Sequence, residues 1–189
     1  HAKLRMVQIG DGEQGFAIPW EKWGGVAIEV LDKWKGRWTA HNLSFDYKVM
    51  RQLAGYELPW HRFDDTMLMA QIADPGGMAG LKSQTDRFVD PRASQGAVIL
   101  KEAFKNNGWD WATIPLDFEA YWVYSALDPI LAVKLHEHYD YIPKDFAQVY
   151  DLEYSVRRIC ANMEDIGMRI DLDYIREQHM DFNTKIVEM

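Results

Sequence analysis

An α/β fold is predicted by two features of this 189-residue sequence. Short apolar runs separated by Gly, Pro, Asn and Asp occupy its first third, as strands and tight connections require. From Leu81 onward the pattern is helical. Short strands followed by helices imply layers packed around one sheet, in α/β or α+β order. A hydrophobic fraction of 48% with 26% charged residues is ordinary for a globular chain and sufficient for a sizeable core.

Leu4 to Ile9 and Phe16 to Trp20 read as two strands around the turn Gly10 to Gly15. That turn spells G-x-G-x-x-G, the dinucleotide-binding fingerprint, but a helix would have to follow at once. Phe16-Ala17-Ile18-Pro19 follows instead, so the reading is a hairpin. Val26 to Trp34 is predicted as a short helix with Ala27, Val30, Leu31 and Trp34 on one face. Arg37 to His41 is a strand delivering Asn42, and Phe45 to Leu53 is a helix stopped by Gly55. Trp60 to Phe63 is a further strand. Asp65-Thr66 caps the next helix, which Asp74-Pro75-Gly76-Gly77 closes. The helical region from Leu81 to Asp140 is broken at Asp90-Pro91 and at Asn106-Asn107-Gly108.

After Tyr141-Ile142-Pro143 the texture changes. Val149 to Ile166 is predicted as one amphipathic helix, with Leu152, Val156, Ile159 and Met163 near one stripe and Glu153/Arg157 as an i,i+4 pair. Gly167 ends it, Asp171 can cap, and a last helix starts at Leu172. His1 and Met189, the latter inside a helix-like stretch, are read as points of truncation.

Bulk properties exclude several classes. No apolar run approaches the ~20 residues of a membrane span, and no signal segment is read at the start. Cys160 is the one cysteine, which rules out a disulfide framework or a Cys-based zinc site within the chain and fits a reducing cytoplasm. His136 and His138 would point to different sides of a helix, and the six His form no ligand pattern. A net charge of −8 argues against a free-standing DNA-binding module. It is compatible with a carboxylate-built metal site, where bound cations reverse the local sign.

Two carboxylate-bearing stretches carry chemistry. His41-Asn42-Leu43-Ser44-Phe45-Asp46 lies at a strand-to-helix junction, where α/β sheets build sites. Asp46 alone would be read as a cap or a helix-dipole partner. Tyr124 and Asp128 are four apart on a predicted helix, so phenol and carboxylate share one face. Tyr141 and Asp145 repeat the spacing, and Pro143 between them marks that pair as accidental. Pro129 disturbs the true pair, because it disfavours helix at residue 128 and clashes with the carbonyl of Ser125. Either a new helix starts near Leu127 or the helix kinks.

Together HNLSFD and YSALD resemble the second and third motifs of the 3′–5′ exonucleases that proofread for family A DNA polymerases, in phage-type members of the tyrosine branch. The stretch around Asp64 to Gln71 and NGWDWATIP from Asn107 to Pro115 are similar to the family as well. LEYSVRRICANMEDIGMRIDLDYIRE resembles the lead-in to the polymerase portion. The resemblance implies an RNase H-like (DnaQ-like) mixed sheet flanked by helices. It divides the chain into an exonuclease domain over 1–141 and a linker with the start of a polymerase domain over 142–189.

It also implies a site. The family's first motif, Asp-x-Glu on the central strand, would fall about a dozen residues before LRMVQIG, and residue 1 comes too late to include it. By transfer Asp128 ligates one of two Mg²⁺ or Mn²⁺ ions, Asp46 supports the second, and Tyr124 hydrogen-bonds the attacking water. Asn42 and Phe45 help position the terminal nucleotide of a single-stranded DNA 3′ end. Asp65 is read as a cap, and Trp109 and Trp111 as packing. The fragment itself is expected to be inactive and its parent active, in the cytoplasm of the host cell if phage-encoded. Two other readings stand beside this one: a stand-alone exoribonuclease and a non-catalytic polymerase scaffold.

Overall fold

The computed structural model describes residues 3–187. Strands β1 (Met6–Gly10) and β2 (Gly15–Pro19) form an antiparallel hairpin with Gly10 opposite Gly15. The side chain of Asp11 closes its turn by accepting the backbone N–H groups of Glu13 and Gln14 at 2.8 and 2.7 Å. The glycine-rich segment is a hairpin, as predicted. Gly15 is required for a different reason: a Cβ there would lie 1.7 Å from the carbonyl oxygen of Ala126. The hairpin backbone rests directly on a helix.

Helix α1 (Trp20–Lys33) begins six residues before the predicted Val26. Gly24-Gly25 disfavours helix locally, but Gly24 is buried against the Trp20 ring, and packing overrides propensity. Ala27 and Leu31 are buried as expected, whereas Val30 and Trp34 are exposed. Strand β3 (Trp38–Ala40) is joined through α2 (Leu43–Ala54) to β4 (Phe63–Asp65), and the two strands pair in parallel. The strand predicted from Trp60 starts only at Phe63. Trp60–Arg62 is a 3-10 turn in which the Arg62 N–H reaches the Pro59 carbonyl at 2.9 Å.

Six helices follow: α3 (Thr66–Ala73), α4 (Leu81–Phe88), α5 (Gln95–Asn107), α6 (Glu119–His138), the short α7 (Ile142–Asp145) and α8 (Ala147–Ile166). The last described helix, α9, is Leu172–Val187. Asp171 caps it, accepting the Asp173 and Tyr174 N–H groups at 3.1 and 3.0 Å. Among the described residues the strands form two separate two-stranded sheets, not one. Helix α6 packs against β1, β2 and β3 and so spans both sheets. No described helix is long and apolar enough to cross a membrane.

The core has three parts. Leu43, Tyr47, Trp60 and Phe63 gather under α2 and the parallel strands; Leu68, Met69, Leu135 and Tyr150 tie α3, α6 and α8 together; Met6, Leu100, Ile114 and Tyr121 join β1 to α5 and α6. Helix α8 turns the opposite face inward from the one predicted. Tyr150 and Ala161 are buried and Tyr154 packs between two clusters, while Leu152, Val156, Ile159 and Met163 are exposed. Arg157 pairs with Asp65 and Gln71, not with Glu153.

Candidate functional site

Asn42, two residues past β3 and immediately before α2, lies in the left-handed region, at φ 69° and ψ 56°. Asn tolerates this conformation better than most residues. The turn is held from outside. The fully buried carboxylate of Asp65 accepts the N–H groups of Asn42 and Leu43 at 2.9 and 3.1 Å, and that of Met67 at 3.0 Å. One carboxylate therefore caps both α2 and α3. Arg157, at 3.3 Å, supplies the countercharge, and Tyr150 accepts the Asp65 N–H. Sequence spacing reveals only the cap on α3, because the other bonds cross more than 20 residues.

His41 packs its Nδ1 2.9 Å from the Thr66 hydroxyl and buries Nε2 without a hydrogen-bond partner. Burial lowers its pKa to about 4, with the nearby Arg157 charge acting in the same direction and Asp65 against it. The imidazole is neutral at physiological pH. One turn into α2, Asp46 is partly buried and has no hydrogen-bond or ion-pair partner among the described residues. Desolvation, then repulsion from the Asp65 charge, raises its pKa to about 7. Beside it in sequence, Phe45 is 60% exposed.

Tyr124 and Asp128 lie on α6, which runs through Pro129 without ending. No new helix starts near Leu127; Pro129 cannot bond the Ser125 carbonyl, and the buried Ser125 hydroxyl has no partner. Asp128 receives a hydrogen bond and an ion pair from Lys82 at the start of α4. The same ammonium stands 4.6 Å over the Tyr124 ring. Burial raises the Asp128 pKa against the pull of Lys82. Burial, together with the Asp128 charge, raises that of Tyr124 to about 12, so it remains a phenol and a hydrogen-bond donor. Sequence reading missed Lys82, since a lone lysine opening an amphipathic helix carries no signal of its target.

Tyr124, Asp128 and Lys82 are thus brought together, and Asp46 lies among Asn42, Leu43 and Asp65. No hydrogen bond or ion pair joins the two groups among the described residues, and no set of three or more His, Cys, Asp or Glu there could hold a metal ion. The donors have the right chemistry for Mg²⁺ or Mn²⁺, hard carboxylate oxygens, and Asp46 is uncompensated as a ligand awaiting a cation would be. They are too few to complete a centre. Trp109 packs edge-on against Phe118 at 5.4 Å, and the half-exposed Trp111 packs on Phe104 and Tyr124.

The arrangement is that of a carboxylate-bearing α/β protein with one aspartate at a strand-to-helix junction and a tyrosine–carboxylate pair on a helix that packs against the same strand. Its likeness among known proteins is to a polymerase. The chain is 25% identical over 154 residues to DNA polymerase I of Chloroflexus aurantiacus, a match covering 79% of the chain and 16% of that protein. The chain thus spans a small part of the length of its relative. No protein-family model matches it.

Proposed function

We propose that the chain is the 3′–5′ proofreading exonuclease portion of a phage-type DNA polymerase I, with an RNase H-like domain over 1–141 and a polymerase lead-in over 142–189. The observation that carries this reading is Asp46: a carboxylate without a partner, at the helix start that follows HNLSF, in a chain similar to DNA polymerase I. The two separate sheets support the RNase H-like arrangement, since a central strand between β1 and β3 would join them. The remaining metal ligands belong to the Asp-x-Glu motif expected on that strand.

In this reading Asp46 and Asp128 hold two Mg²⁺ or Mn²⁺ ions, which when bound supply Lewis acidity at the phosphate and hydroxide at neutral pH. Tyr124 donates from its phenol to the attacking water. Asn42 and the exposed Phe45 hold the last nucleotide of a single-stranded DNA 3′ end. The polymerase domain of the same chain is the natural partner.

The scaffold alternative has one observation in its favour: Asp128 is already matched by Lys82. Degradation of 3′-labelled single-stranded DNA and RNA by the full-length protein in Mg²⁺ separates the readings. Loss of DNA from the 3′ end is expected. Preference for RNA would favour the exoribonuclease, and intact ends in both Mg²⁺ and Mn²⁺ the scaffold.

A further inference from the structure

We infer that Lys82 is the positioning residue of the Tyr124/Asp128 pair, a cationic clamp that holds phenol and carboxylate in register across the turn of α6 interrupted by Pro129. The inference rests on the exonuclease reading above and concerns a residue outside its motifs.

Three observations converge. Lys82 touches both members of the pair at once: the carboxylate through its ammonium, the ring through its positive charge at 4.6 Å. Its side chain is 19% exposed and that of Asp128 28%, so the ion pair is largely sheltered from solvent. Such burial is costly unless the partner geometry is good. Finally, the turn it spans needs support. Pro129 leaves the Ser125 carbonyl without its helical donor, and on another side of the same turn the Gly15 backbone presses on Ala126. A helix weakened at residues 125–129 is braced by the hairpin through Gly15 and by α4 through Lys82.

A brace of this kind has an opposite effect on metal binding and on turnover. The ammonium competes with a divalent ion for the same Asp128 oxygen, so removing it should tighten metal binding. It also aligns the groups that act on the water, so removing it should slow the reaction. A salt bridge that only joined α4 to α6 would lower the melting temperature and leave kcat per folded molecule unchanged.

The test is Lys82→Met in the full-length protein. Calorimetric titration with Mn²⁺, melting temperature, and kcat and KM on a single-stranded DNA 3′ end are the readouts. The expected result is Mn²⁺ binding tighter by about threefold or more and kcat lower by about tenfold, with KM little changed. Lys82→Arg, which keeps the charge, should recover most of kcat. If Lys82→Met is insoluble, Lys82→Arg carries the test through a smaller fall in kcat at a wild-type melting temperature. Wild-type kcat in the folded variant, whatever its Mn²⁺ affinity, would overturn the clamp and leave the exonuclease reading intact. A wild-type protein that leaves DNA 3′ ends untouched would overturn both.

Discussion

Asp46 and Asp128 are the same side chain in two electrostatic settings. Asp128 is crowded by protein yet supplied with a cation, Lys82, and its raised pKa reflects burial partly offset by that charge. Asp46 has no ion-pair partner among the described residues, and the charge that acts on it is another carboxylate, Asp65. A third aspartate shows the opposite extreme. Burial of Asp64 is outweighed by His136 and a bidentate Arg37 at 2.6 and 2.9 Å, which bring it down to about 2. Fully compensated aspartates are structural, and Asp65 with Arg157 and three backbone donors is another. The difference teaches that the candidate site is marked by missing compensation, not by the presence of acids as such. With 29 acidic residues in the chain, that criterion discriminates where composition does not.

The largest expected effect lies at Asp128. If the proposed exonuclease reading is right, Asp128→Ala in the full-length protein should abolish release of nucleotides from a single-stranded DNA 3′ end, because it would remove charge proposed to hold a metal against the phosphate. Asp145→Ala is the control and should leave degradation unchanged. Equal damage from both would mean that the wrong Tyr-x-x-x-Asp was chosen.

Asp46 breaks or sharpens the comparison through pH. Its folded-state pKa of about 7 lies above the ordinary 3.8, so the folded chain binds the proton more tightly than the unfolded one. Stability should therefore fall as pH rises from about 4 to 7 and level off above, where the buried charge costs on the order of 2–4 kcal/mol. Asp46→Asn removes that cost. Without divalent ions, denaturant melts should show the variant stabilised at pH 8 and indistinguishable from the parent at pH 4. An equal effect at both pH values would show that Asp46 is not the uncompensated charge.

Tyr124→Phe should be milder than either. On the proposed reading it removes one hydrogen bond to the attacking water while keeping the ring under Lys82. A loss of about 1–3 kcal/mol in barrier, or roughly ten- to a hundredfold in kcat, follows. A loss as complete as that of Asp128→Ala would give the phenol a role beyond orientation.

Much of this was legible in the sequence, for local reasons. The hairpin, the Asp65 cap on α3, the Gly55 stop of α2 and the breaks at Asp90-Pro91 and Gly108 depend on residues a few positions apart. What was not legible crosses long separations. Lys82 reaches Asp128 over 46 residues, and Asp65 reaches α2 over 22. That α6 continues through Pro129 without a new helix near Leu127 depends on packing that local rules ignore. Pairing of β1–β2 and β3–β4 as separate sheets likewise follows from partners, not from strand propensity.

Helix α8 carries the smallest prediction and the sharpest lesson about periodicity. It has two stripes at helical spacing, and apolarity alone favours the wrong one. Leu152, Val156, Ile159 and Met163 are more hydrophobic than Tyr150, Tyr154, Arg157 and Ala161, yet the second set faces the core. The reason is polar bonding at depth. The Tyr154 hydroxyl lies 2.7 and 2.9 Å from the carbonyls of Trp60 and Phe63, which share its one proton, and Arg157 answers the buried Asp65. In the chain alone, Leu152→Ser and Ile159→Ser should each shift unfolding free energy by no more than about 0.5 kcal/mol, as exposed positions do. Tyr154→Phe removes a sheltered hydrogen bond, while the Trp60 carbonyl keeps the Phe63 N–H and the Phe63 carbonyl keeps Arg37, and should cost about 1 kcal/mol. Denaturant midpoints with unchanged slopes would measure both. If the serine variants cost more than Tyr154→Phe, the outward stripe of α8 is covered in solution and the inward assignment of the tyrosines is wrong.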